Sequence, residues 1–124
     1  MKQLTIGESF SGFLSSLKIR NMGNMTHKEI YEYIFEDFLS DVVAYLGPYT
    51  LDRLVNEGII DGNIYDISKS INDEIFDMIN GAEWNVCSVK KSKRWNKIFD
   101  DLSKLDNLIH EKWTDEEIEY LKTM

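Results

Sequence analysis

The side chains of this chain best suited to chemistry are two histidines, one cysteine and 22 Asp and Glu residues. His110 follows Asp106 by one helical turn, so both could reach one ion. Two ligands do not make a site, and neither HExxH nor a third His is present. His27 sits just inside a capped helix start, where the positive end of the helix dipole opposes its protonation. Glu32 and Glu36, or Asp73 and Asp77 with Asp66 nearby, are carboxylates about a turn apart. General acid–base work needs one carboxyl raised in pKa by burial. These lie opposite an apolar stripe, where both members are hydrated and ionised. The phosphate loops GxxxxGK[ST] and GxGxxG and the nucleophile pattern GxSxG do not occur. Cys87, between Val86 and Ser88, reads as a small buried residue rather than a nucleophile, and a lone cysteine forms no internal disulfide. The expectation is a protein with no catalytic residues, no metal and no cofactor.

The charge layout is more informative. The 124 residues hold 14 Lys and Arg, giving a net charge of −8. Residues 1–28 carry +3, residues 29–83 carry −11, residues 84–98 carry +5 and residues 99–124 carry −5. The overall balance argues against nucleic acid or an anionic membrane as a whole-molecule partner, though not against a local basic patch. That patch is VKKSKRWNK, with Lys90, Lys91, Lys93, Arg94 and Lys97 flanked by Trp84 and Trp95. Aromatics among basic residues can stack bases while the cations meet phosphate. The same cations can instead pair with the acidic helices, and Trp95 also fits an apolar repeat. In the acidic middle, Glu32, Glu36, Asp37 and Asp41 project from one side of one helix, beside Tyr33 and Tyr45. Tyrosine among carboxylates gives large contact area at low entropy cost.

Helices must position these groups. Thr26 and Glu29 form a TxxE capping box, after which Ile30, Ile34, Phe38 and Val42 recur every fourth residue until Gly47-Pro48 stops the helix. A short helix follows, with Leu51, Leu54 and Val55, ending at Gly58. Asp61-Gly62 could turn a hairpin. The longer pattern Ile64, Ile67, Ile71, Ile75, Met78 favours a helix from about 63 to 80 instead. Trp95, Ile98, Phe99, Leu102, Leu105 and Ile109 predict a helix from Ser92. Thr114 and Glu117 cap a last one, and an opening helix is predicted around 8–19. Residues 84–89 (WNVCSV) alternate as a strand and could pair with residues 3–6, although two short strands alone are marginal.

The fold class expected is therefore mainly α: one globular domain over 1–124, a compact bundle of five to six helices with room for one two-stranded β element. Hydrophobic residues at 43% supply a core, and no run of 18 apolar residues or secretory leader is present, which reads as soluble and cytoplasmic. Abundant Ile and Lys with only two Ala suggest an AT-rich bacterial or phage genome.

Three local resemblances stand beside this reading. KWTDEEIEYLKTM (112–124) resembles the first helix of Myb/SANT-type and homing-endonuclease-associated helix-turn-helix modules, but no recognition helix follows it in the sequence, so their DNA binding is not carried over. FSGFLSSLKIRN (10–21) is similar to the first helix of some bacterial cyclic-nucleotide synthases, whose Gly-Ser and paired-Asp motifs are missing here. TLDRLVNEGIIDGNIYDI (50–67) is similar to a winged helix feeding its hairpin wing, with Arg53 the one base among Asp52, Arg53 and Glu57 on its would-be recognition helix.

The function expected is that of a small acidic protein-binding protein, an inhibitor or immunity-type (anti-defence) protein that blocks a basic, nucleic-acid-binding surface. Its contacts would be Glu32, Tyr33, Glu36, Asp37, Asp41 and Tyr45. Its partner would be a basic protein such as a nucleic-acid-processing enzyme. The alternative is a regulatory nucleic-acid-binding module using Lys90, Lys91, Lys93, Arg94 and Lys97. Trp113 and the tyrosines leave room for a homodimer.

Overall fold

The computed structural model describes residues 3–124. Helices α1 (Ile6–Leu17), α2 (His27–Tyr31), α3 (Leu39–Tyr45), α4 (Pro48–Asn56), α5 (Gly62–Met78), α6 (Val86–Lys91), α7 (Lys93–Lys112) and α8 (Asp115–Leu121) follow in order. Between α2 and α3 the chain continues as π-helical turns over Glu32–Phe38. Residues 27–45 therefore form one unbroken helix, and the described residues hold seven helices and no strand. The mainly α class stands; the five-to-six count and the two-stranded element do not.

The β element fails for a local reason. Asn85 accepts a hydrogen bond from the Ser88 N–H and so caps a helix at Val86–Lys91. The alternation seen in WNVCSV is equally an i, i+3 pattern, and Val86 and Val89 turn toward the core. On the other side, Thr5 and Glu8 form a capping box that starts α1 at Ile6, leaving residues 3–5 without regular structure. Asp61 likewise caps α5 through the Ile64 N–H instead of turning a hairpin, which also removes the wing of the winged-helix resemblance. The Thr26 and Thr114 boxes form as read. Ser92 ends α6 and caps α7, so the basic stretch is two short helical faces and not a loop.

The buried apolar residues make one cluster drawn from every helix. Trp95 is wholly buried and donates its indole N–H to the Glu83 carbonyl at 2.8 Å, which fixes α7 against the turn before α6. Two glycines set close approaches. A Cβ on Gly12 would overlap the Tyr45 ring, and one on Gly7 would overlap the Lys122 carbonyl. The first draws α1 against α3; at the second, the Gly7 N–H donates to the Met124 carbonyl at 2.8 Å. In this packing α3 lies on α1 and α4, α2 on α6, and α5 on α4 and α7.

Candidate functional site

The π turns shape the acidic helix. Wider turns let three consecutive residues, Tyr33, Ile34 and Phe35, all be buried, while Tyr31, Glu32, Glu36 and Asp37 stay exposed. Phe35 enters an aromatic cluster, 4.8 Å from Trp84 and 6.0 Å from Trp95 between ring centres. Tyr33 turns inward: its hydroxyl accepts the Arg20 N–H at 2.9 Å and its ring lies under the Arg20 guanidinium at 5.1 Å. Tyr45, half-buried, packs where Gly12 has no side chain. Of the six residues expected on this face, the structure therefore keeps four on the surface, the carboxylates of Glu32, Glu36, Asp37 and Asp41. The two tyrosines are braces that hold the helix in place. Apolar side chains remain on the same helix in Tyr31 and Val43, 53% and 52% exposed.

Electrostatically the face is paired only at its N-terminal end. Lys28 reaches Glu32 at 4.0 Å with both side chains well exposed, a weak pair. Among the described residues no cation lies within ion-pair distance of Glu36, Asp37 or Asp41. Partial burial, reinforced by the Asp37 charge, holds the Asp41 carboxyl above the usual aspartate range.

The acids of α5 and α7 are arranged differently. Arg94 donates to Glu74 and Asp77 together, and these two hydrogen bonds keep its guanidinium more firmly protonated than usual. Lys97 reaches Asp101 at 2.8 Å, which raises its own pKa, and Lys69 reaches Asp73 at 3.3 Å. Thus two of the five basic residues expected to meet nucleic acid, Arg94 and Lys97, hold internal carboxylates. Lys90, Lys91 and Lys93 are exposed and make no ion pair among the described residues. The two acidic helices pack chiefly on other elements: α5 on α4 and α7, the π-containing helix on α1, α4 and α6.

The remaining chemical groups are scattered. His27 is exposed in the first turn of α2. His110 Nδ1 lies 2.8 Å from the Asp106 carbonyl oxygen, and its ring nitrogens stand 3.6 and 3.8 Å from the Asp106 and Asp115 carboxylates. Lys18 and Lys122 share the adjoining cavity of about 300 Å³. No three His, Cys, Asp or Glu among the described residues are gathered to hold a metal ion. Cys87, expected in the core, is exposed on α6, because the helix that replaces the strand turns it outward. Among the described residues no helix is long and apolar enough to cross a membrane. Comparison with protein-family models, with curated proteins and with solved structures finds no match.

Proposed function

We propose that this chain is a small acidic binding protein that docks the outer face of its π-containing helix on a basic surface of a partner protein. The partner chemistry that suits it is a groove built for nucleic acid, and occupying that groove would inhibit the partner, as an immunity-type or anti-defence protein of bacterial or phage origin does. The observation that carries the reading is that, among the described residues, no cation lies within ion-pair distance of Glu36, Asp37 or Asp41, whereas Asp73, Glu74, Asp77 and Asp101 on α5 and α7 are paired with nearby bases. Unpaired surface carboxylates steer a basic partner and set which partner is accepted, and neighbouring apolar side chains supply contact energy. Tyr31 and Val43 take that second role in place of Tyr33 and Tyr45.

The test is capture from host lysate by tagged wild type and by the E32K/E36K/D37K variant, at about 50 mM and about 300 mM salt. The expected result is a basic protein retained by the wild type at low salt, weakened at high salt and lost by the variant. Equal retention by the variant, or no protein partner at either salt, overturns the reading.

A further inference from the structure

We propose that the cleft between the loop before α2 and the α6–α7 corner takes a single-stranded nucleic acid, with one base on Phe99 and flanking phosphates on Lys90, Lys91 and Lys93. This goes beyond the acidic face and uses none of its carboxylates. The cleft has a volume of about 380 Å³ and is lined by Met22, Gly23, Val89, Lys90, Asn96 and Phe99. Its walls are apolar, and its polar side chains are one lysine and one amide, the pair of functions needed to meet a phosphate and a base edge.

The floor is rigid before any ligand arrives. Trp95 is held by its bond to the Glu83 carbonyl, and Phe99 packs on it with ring centres 5.9 Å apart and planes 32° apart. Beyond Trp95 the stack continues through Trp84 and Phe35 to Tyr31. A half-buried aromatic fixed by such a stack loses little entropy when a base settles on it, and every base offers a π-face.

Charge supplies the second argument. Residues 84–98 contain no acid. Internal pairing removes Arg94 and Lys97, leaving Lys90 in the cleft lining and exposed Lys91 and Lys93 beside it in sequence, none of the three in an ion pair among the described residues. The cleft is sized for single bases and no element is presented for groove reading, so the fit is to an unpaired strand and not a duplex.

The experiment is fluorescence anisotropy of a labelled twelve-nucleotide oligothymidine with the full chain, its K90A/K91A/K93A and F99L variants, and K104A as a control lysine outside the cleft lining. Circular dichroism establishes that each variant is folded. Three phosphate contacts on a single strand predict a log–log salt slope of about −2, so a fourfold rise in salt weakens binding roughly twenty-fold. The triple variant should lose most of that slope. F99L should keep the slope and bind about tenfold more weakly, and K104A should match the wild type. No binding at low salt, or a triple variant that binds like the wild type, overturns the proposal. It is equally overturned if F99L is unaffected and polyglutamate competes as well as the oligonucleotide, since the lysines would then be a bare cationic patch open to an acidic peptide.

Discussion

Glu74 and Asp77 on α5 face Arg94, and Asp101 on α7 faces Lys97, whereas Glu36, Asp37 and Asp41 on the π-containing helix have no cation within ion-pair distance among the described residues. Residue type and spacing are alike in the two regions. For Arg94 the difference is tertiary, because docking α7 on α5 carries it across an acidic helix, while Lys97 and Asp101 pair one turn apart within α7. Among the described residues no cation is brought within ion-pair distance of Glu36, Asp37 or Asp41. Charge in the first region serves the fold; charge in the second makes no ion pair at Glu36, Asp37 or Asp41 among the described residues.

The largest effect should come from undoing the docking that creates the contrast. Trp95→Ala removes a wholly buried indole from the corner that sets α7 in place, and should lower unfolding free energy by about 3–5 kcal/mol. Urea denaturation followed by circular dichroism measures it. Loss of under about 1 kcal/mol would mean that α7 is held chiefly by other contacts, its ion pairs included. Gly12→Ala comes next and acts on the other region. Its new methyl must displace Tyr45, a brace of the acidic helix, at a cost of about 1–3 kcal/mol. A neutral or stabilising result in the same denaturation would show that Tyr45 swings aside freely and does not fix the face.

The comparison sharpens with one charge change made twice. E74K/D77K places two cations opposite Arg94 and should lower the urea midpoint clearly, with the slope unchanged. E36K/D37K changes charge equally but faces no base, so its midpoint should match the wild type or rise. Equal destabilisation of both variants would erase the distinction between a structural and an available acidic surface.

How much of this was legible in the sequence follows the range of each interaction. Capping boxes at Thr26 and Thr114, the stop at Gly47-Pro48 and the α7 repeat are settled within a few residues, and they formed as read. The strand at 84–89 misled because alternation over six residues also satisfies a single helical turn; the Asn85 cap decided it. Thr5 and Glu8 were an unread capping box in plain view. The site was less legible. That Tyr33 would turn inward to the Arg20 N–H depends on the π turns, and that Arg94 would span two carboxylates depends on the meeting of α5 and α7. Both require contacts 13 or more residues apart, which no local pattern encodes.

The smallest effect is the most diagnostic of the free face. Asp41 is held above the ordinary aspartate value of 3.8 by burial and then by Asp37, so the folded chain binds this proton more tightly than the unfolded chain does. The sign follows: ionised Asp41 opposes folding. The penalty is complete above its folded pKa and is relieved as pH falls through that value toward 3.8. Asp41→Asn should therefore raise the thermal midpoint slightly at neutral pH, and the gain should fade as the pH is lowered to the ordinary aspartate range. In an Asp37→Asn background the gain should be smaller, because one of its two causes has gone. Thermal melts of the four proteins across that pH range separate the outcomes. A midpoint that falls in Asp41→Asn at neutral pH would mean that the carboxylate has a stabilising partner within the chain. The face would then be one more internally compensated surface, with no call on a basic partner.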